Sequence, residues 1–238
     1  MKNNIMALSI LLLIFFTVSG CSLKQDIVLD RQGGGTLDVE FSLKGFYLDF
    51  LNNFIDIQDS LSEIETELNK NPYLDHIVVK NPSSGVFTGS FHFSDLQTVF
   101  AETKEINETK IFSTSEKGNI KTIEIRLNRD NFGQLAALIP ILDDPYLSSF
   151  GPEGSKGQSE QDYIDMVEWT FEDSETYKGE AVKTFSESVV RLSVKVDGTV
   201  ISQIGGKRVS GSEVVYEIPL IKLLILDKEL FYQIKYKV

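Results

Sequence analysis

A single cysteine is the side chain whose place in this sequence most clearly suggests chemistry. Cys21 is the only cysteine among the 238 residues, and it follows the small residues Ser19 and Gly20 at the end of an apolar stretch. Without a second thiol the chain cannot form an intramolecular disulfide bond. A lone thiol at this position of an exported chain therefore needs another explanation.

The segment before this cysteine, residues 1–20, predicts a secretory signal peptide. Lys2 supplies a basic start, and an apolar stretch from Ile5 to Val18 follows it. This stretch has about 14 residues, whereas a helix that crosses the hydrocarbon core of a bilayer needs about 20. We therefore expect a cleaved signal and not a permanent transmembrane anchor.

The tetrad Val18-Ser19-Gly20-Cys21 resembles the lipobox of bacterial lipoproteins. The resemblance implies that signal peptidase II cleaves between Gly20 and Cys21, and that Cys21 carries acyl chains. Each buried CH₂ group adds roughly 0.8 kcal/mol of membrane affinity, so two or three chains hold a protein durably at a bilayer. The alternative is an ordinary signal peptide followed by an unrelated cysteine.

The charge of the chain restricts its partners. The formal net charge is −12, and loss of Lys2 with the signal peptide makes the remainder more negative. Such an acidic body disfavours nucleic acid and is repelled by anionic lipid headgroups. We therefore expect no nucleic-acid partner, and we expect the lipid on Cys21 to do the anchoring.

The two histidines, His76 and His92, are the remaining candidates for catalysis or metal binding. Neither has a cysteine, serine or acid at the spacing of a catalytic or metal-binding motif. The sequence also lacks the nucleophile elbow of hydrolases, the His-Glu-x-x-His zinc motif, the phosphate loop and the EF-hand spacing. We therefore predict structural histidines, no enzyme activity, no cofactor and no metal site.

Two acidic pairs, Asp143-Asp144 and Glu172-Asp173, could in principle bind calcium. Calcium takes six or more oxygen ligands from a shaped loop, and pairs of acids arise by chance in a chain this acidic. The interpretation we prefer is two solvated pairs.

The first elements predicted after Cys21 form a β-hairpin. Residues 25–29 predict a strand, Gly33-Gly34-Gly35 a permissive turn, and residues 36–43 a second strand because apolar and polar side chains alternate. Only four or five residues would then separate the folded domain from the bilayer, which places it within roughly 15–20 Å.

A long amphipathic helix is predicted over residues 46–70, where the period of the apolar residues changes to three and four. Its apolar stripe includes Phe50, Phe54, Ile57, Leu61, Ile64 and Leu68. Acidic residues lie off the stripe, and Pro72 ends the helix. We expect the stripe to pack on a sheet, because a membrane-lying helix would carry basic residues on its polar side.

Two units of a hairpin followed by a helix come next. The first has strands at 76–80 and 86–93 around a turn at 81–85, and a helix that Ser94 and Gln97 open as a capping box. The second has strands at 110–114 and 120–127 and a helix that Asp130 caps.

The C-terminal third predicts a loop followed by a helix and several strands. We predict a flexible loop rich in glycine, serine and proline at residues 146–160, and a helix at Gln161–Trp169 with Tyr163, Ile164, Val167 and Trp169 on one side. Asp197-Gly198 predicts a hairpin turn between strands at 188–196 and 200–204, and Gly205-Gly206 predicts another. Further predicted elements are strands at 213–218 and 231–238 and a buried segment at 220–226.

The opening hairpin and the tail resemble the LppM-like group of bacterial lipoproteins. The resemblance rests on the lipobox cysteine, the hairpin at 25–43 and the tail from Asp197-Gly198 through Gly205-Gly206 into residues 214–220. It implies an envelope lipoprotein with an α+β extracytoplasmic domain that could contact lipids, and it transfers no catalytic residue.

The predicted fold class is α+β, a mainly antiparallel sheet built from hairpins with the long helix and shorter helices on one face. The predicted divisions of the chain are the signal peptide at 1–20, an α+β extracytoplasmic region at 21–145, the loop at 146–160 and a β-rich region of the same domain at 161–238.

Three classes of function stay open at this point. We favour a non-enzymatic lipoprotein that binds an envelope protein or serves an assembly, anchored in the cell membrane or the outer membrane and facing away from the cytoplasm. The alternative is a carrier of a lipid or another apolar ligand, which a continuous cavity would favour. The third is a hydrolase whose residues meet only in three dimensions, which a cleft joining a histidine to a serine and a carboxylate would favour.

Overall fold

The computed structural model describes residues 21–43, 62, 65–66, 68–101, 104–136, 149–173 and 177–238. The predicted signal peptide, Gly20 and the Asp143-Asp144 pair lie outside these residues. Most of the helix predicted at 46–70 lies outside them as well. Residues 62, 65, 66 and 68 are helical, and Leu68 is buried in the core.

The described residues contain eleven strands in two sheets and six helices. The strands are β1 (Cys21–Leu29), β2 (Gly35–Leu43), β3 (Leu74–Ser83), β4 (Val86–Phe93), β5 (Phe112–Lys117), β6 (Ile120–Leu127), β7 (Val189–Val196), β8 (Thr199–Ile204), β9 (Lys207–Ser210), β10 (Glu213–Pro219) and β11 (Leu230–Lys237). The helices are α1 (Leu96–Ala101), α2 (Lys104–Thr109), α3 (Arg129–Ala136), α4 (Glu160–Thr170), α5 (Lys178–Glu187) and α6 (Leu220–Ile225). The content is therefore mixed α and β.

The strands pair in one seven-stranded and one four-stranded sheet. The larger sheet has the order β3-β4-β2-β1-β7-β10-β9 and the smaller one the order β5-β6-β11-β8. Every pairing is antiparallel except that of β1 with β7. Three of the predicted antiparallel hairpins, β1–β2, β3–β4 and β5–β6, are thus present, but they are divided between the two sheets.

The hairpin predicted at Asp197-Gly198 is wrong. Strand β7 pairs with β1 on one side and β10 on the other, so neither side is open to β8. Strand β8 pairs with β11 in the four-stranded sheet. The turn at Asp197-Gly198 therefore carries the chain from one sheet to the other.

A second crossing replaces the turn predicted at Gly205-Gly206. These two glycines lead from β8 back to β9 in the larger sheet, with φ angles of +65° and +63°. A Cβ atom on Gly206 would lie 2.5 Å from Cδ1 of Tyr216, and one on Gly205 would lie 2.6 Å from Cδ1 of Tyr232. Both the left-handed backbone and the close tyrosine rings favour glycine here.

The two helix starts predicted at Ser94 and Asp130 are each displaced. Asp95 caps α1, because its carboxylate accepts hydrogen bonds from the backbone N–H and the hydroxyl of Thr98. Asn128 caps α3 by accepting the backbone N–H of Asn131. The cap thus lies one residue after Ser94 in α1 and two residues before Asp130 in α3.

Several other boundaries differ from the sequence predictions. Strand β1 begins at Cys21 and not at Gln25, and β3 runs on to Ser83, so that the turn to β4 is tighter than predicted. Helix α5 has no counterpart among the predictions. The helix at α4 is confirmed with Tyr163 and Val167 buried, but Trp169 faces solvent with 74% exposure.

The core has two parts, both in contact with the larger sheet. The first contains buried side chains of both sheets, among them Ile27, Phe91, Leu192, Ile123 and Ile234. The second gathers side chains of α4, α5 and α6 around Phe87 of β4, with Phe41 of β2 packed against it. Within the described ranges, no helix combines the length and the apolar character needed to cross a membrane.

Candidate metal centre

Cys21, the predicted lipidation site, lies in the pairing of β1 with β2, near the middle of the larger sheet. It lies opposite Leu43 of β2, and the pairing continues without a shift to Leu29 opposite Gly35. On the other side β1 runs parallel to β7 from Leu23 onward. The amino end of β1 is therefore tied into the middle of the larger sheet.

The two histidines meet at the other end of that sheet. Asp75 of β3 lies directly opposite His92 of β4, and His92 in turn lies opposite Thr36 of β2. Thr36 pairs with Val28, which follows Cys21 by seven residues. At about 3.3 Å per residue, the histidines are about 23 Å from Cys21 along the strand direction.

An irregularity in the edge strand brings His76 to the same place. The pairing of β3 with β4 shifts between Asp75 and Val78, and His76 has a φ of +51°. Successive side chains of a regular strand point to opposite faces. The bulge and the left-handed residue break this alternation, so that the adjacent side chains of Asp75 and His76 converge.

The three side chains converge on one carboxylate oxygen. Nδ1–H of His76 donates a hydrogen bond to Oδ1 of Asp75 over 2.6 Å. Nδ1 of His92 lies 3.0 Å from the same oxygen, but it is buried and has no hydrogen-bond partner of good geometry among the described residues. One candidate ligand atom from each residue lies within 4.8 Å of the others.

The electrostatics of this cluster favour an ionised carboxylate. The hydrogen bond from His76 is the largest cause and lowers the pKa of Asp75; desolvation raises this pKa by less, and charge interactions with His92 and His76 lower it further. The side chains of Asp75 and His76 are 58% and 87% exposed, and that of His92 is 40% exposed. The cluster is thus an open corner of the sheet that solutes can reach.

Serine does not complete a hydrolytic arrangement on this face. Ser90 is two residues from His92 on β4, but its hydroxyl donates to the carboxylate of Asp38 over 2.6 Å. Two imidazoles and one carboxylate are instead a ligand set that divalent transition metals use in proteins.

The sequence predictions missed this cluster because they examined spacing along the chain. His76 and His92 were predicted to be structural, and no metal site was predicted. Hairpin spacing gives only an approximate signal: a regular pairing that continues from Ser83 opposite Val86 would put residue 77 opposite residue 92, and two register shifts bring Asp75 there instead. No pattern in the sequence predicts the bulge that brings His76 to the cluster. Glu172 and Asp173 do not belong to a group of three metal-ligating side chains within the described part of the chain.

The carrier alternative predicts a pocket between the helix at 46–70 and a sheet, most of which lies outside the described residues, whereas the interior between the two sheets is described. A cavity of about 30 Å³ lies there, lined by apolar side chains of both sheets and of α1, including Ile27, Phe91, Phe100, Ile125 and Leu192. Pockets that enclose small molecules measure about 300–1,000 Å³. This cavity has space for about one or two water molecules and not for an acyl chain.

Comparison with known proteins adds one similar structure. No protein-family model and no curated protein matches this sequence. A structural neighbour is the folded domain of LppM from Mycobacterium tuberculosis, solved by NMR, with 13% sequence identity and a TM-score of 0.43 over 93% of this chain and 92% of that chain. We assign no role to Asp75, His76 or His92 from this similarity.

Proposed function

We propose that this protein is a cell-envelope lipoprotein, anchored by acyl chains on Cys21, whose folded domain binds an envelope protein without catalysing a reaction. One observation carries the proposal above all others. The single cysteine of the chain stands at the end of an apolar segment of signal-peptide length and is already paired with Leu43 in the larger sheet.

This coincidence has a geometric consequence. A chain that begins at Cys21 would enter the sheet at once, because Cys21 itself pairs with Leu43. The flexible link of four or five residues that the sequence predicted is absent from the fold. An acylated Cys21 would therefore hold the larger sheet directly at the headgroups, with the start of β7 at Val189 on the same side.

The orientation follows from the same strands. The amino end of β1 would face the bilayer, and the corner with Asp75 and His92 would lie about 23 Å further out. The acidic body cannot adhere to anionic headgroups by charge, since like charges repel. Acyl chains would supply the membrane affinity that the surface does not.

The cavity between the sheets does not support a lipid carrier, and a pocket formed against residues 46–70 would lie largely outside the described residues. The carrier would need an enclosed apolar volume several times larger than the cavity of about 30 Å³ between the sheets. We therefore place the binding role on the surface of the domain, where a protein partner can reach it.

The anchor can be tested by producing the full chain in a bacterium and comparing it with Cys21→Ser. We expect the wild-type protein to enter the detergent phase on phase separation, and its intact mass to show loss of residues 1–20 and gain of acyl chains. Cys21→Ser should keep residues 1–20 and carry no lipid, because the acylated sulfur is absent.

Ser22→Ala is the matched control, since it changes the next residue of β1, which is exposed, and should behave as the wild type does. A wild-type protein that starts at residue 21 without any lipid would overturn the proposal. So would a wild-type chain that keeps residues 1–20.

A further inference from the structure

We propose that Asp75, His76 and His92 bind one divalent transition-metal ion, with zinc as the ion that the ligand set fits best. The ligands are one carboxylate oxygen and two imidazole nitrogens. Imidazole suits zinc, copper and nickel, while magnesium and calcium prefer oxygen ligands alone. Zinc accepts this combination in tetrahedral geometry, with three protein ligands and one exchangeable position.

The present distances are close to those that the ion requires. Zinc bonds of about 2.0–2.2 Å place the donor atoms of a tetrahedral site roughly 3.4 Å apart. Oδ1 of Asp75 now lies 2.6 Å from Nδ1 of His76 and 3.0 Å from Nδ1 of His92. Binding therefore needs these atoms to separate by less than about 1 Å, which the exposed side chains can do by small rotations.

The state of His92 points to a missing partner. Its Nδ1 atom is buried and lies 3.0 Å from Oδ1 of Asp75, in a contact whose angles do not meet those of a regular hydrogen bond. Buried polar atoms are nearly always satisfied in native proteins. A metal ion between Nδ1 and the carboxylate would satisfy this nitrogen.

The backbone at His76 supports the same inference. Left-handed φ angles are unfavourable for residues with a Cβ atom, and such residues cluster at ligand sites. Here the unfavourable conformation, with φ of +51°, aims His76 at the carboxylate of Asp75. The bulge thus brings His76 to the cluster as the third candidate ligand.

The surroundings favour a cation and leave one coordination position open. The chain has a net charge of −12, which favours cations near its surface. His76 is 87% exposed, so no protein atom need block the outer side of the ion. Water or a group from a protein partner would complete the coordination.

Zinc titration of the full chain carrying Cys21→Ser, kept in detergent, tests the site without the only thiol and independently of lipidation. By calorimetry we expect a stoichiometry of one. Because the sequence has two histidines, NMR should show two sets of imidazole ring signals, and one equivalent of zinc should shift both. His92→Gln should weaken binding at least about 10-fold.

Asp38→Asn is the matched control, because it removes a carboxylate from the same face and should leave the affinity unchanged. The inference would be overturned if zinc failed to shift the imidazole signals of the folded protein at millimolar concentration. It would equally be overturned if Asp38→Asn weakened binding as much as His92→Gln, since binding would then reflect general negative charge.

Discussion

The two faces of the seven-stranded sheet differ most sharply at two neighbouring residues of β4. Phe91 faces inward, is 4% exposed and packs in the core between the sheets. His92 faces outward next to Asp75 and is partly exposed. The comparison shows how one strand serves packing on one side and carries polar chemistry on the other, because side chains alternate.

The strand pairing is regular in the middle of this sheet and irregular at its edge. Strands β1 and β2 pair from Cys21 to Leu29 without a shift, as a buried inner face requires. The edge strand β3 shifts twice against β4, between Asp75 and Val78 and between Lys80 and Ser83. An edge strand pairs on one side only, so its irregularities leave the rest of the sheet intact.

The largest effect that separates the two faces should come from Phe91→Ala. We expect it to lower the free energy of unfolding by about 3–5 kcal/mol, because it removes a buried ring and leaves a cavity. His92→Gln, one residue along, should change that free energy by less than about 0.5 kcal/mol in the presence of a chelator. Urea denaturation of both variants measures the difference, and equal effects would mean that the two faces are energetically alike.

A smaller effect of opposite sign is expected from Gln25→Met on the inner face. Gln25 is fully buried, and neither its amide nitrogen nor its amide oxygen has a hydrogen-bond partner among the described residues. An unsatisfied buried polar group costs about 1–3 kcal/mol, and methionine fills a similar volume without polar atoms. We expect the free energy of unfolding to rise by about 1 kcal/mol. A loss of stability in urea denaturation would show that the amide is satisfied.

The smallest effect should come from His76→Gly on the outer face. Glycine adopts a φ of +51° readily, so relief of the left-handed strain should raise the free energy of unfolding by about 0.5–1 kcal/mol with a chelator present. The same variant should lose zinc affinity. His76→Ala keeps the strain and should gain no stability, and an equal gain in both variants would contradict a strained backbone at this position.

Local patterns in the sequence predicted the elements that local physics governs. Strict alternation predicted β2, the glycine turn predicted the opening hairpin, and the period of Tyr163 and Val167 predicted α4. The caps moved by one or two residues, from Ser94 to Asp95 and from Asp130 to Asn128. Side chains that can cap follow one another there, so spacing alone does not select among them.

By itself the sequence determined the lone cysteine after an apolar segment, the acidic charge, the hairpins β1–β2, β3–β4 and β5–β6, and the mixed α and β content. The tertiary structure decided that Asp197-Gly198 joins two sheets, because both sides of β7 are occupied by strands distant in sequence. It also decided that Asp75, His76 and His92 meet, since a bulge and a left-handed residue override the alternation of a strand. Periodicity records which face a residue prefers, whereas strand partners and irregular backbone depend on contacts between segments far apart in the chain.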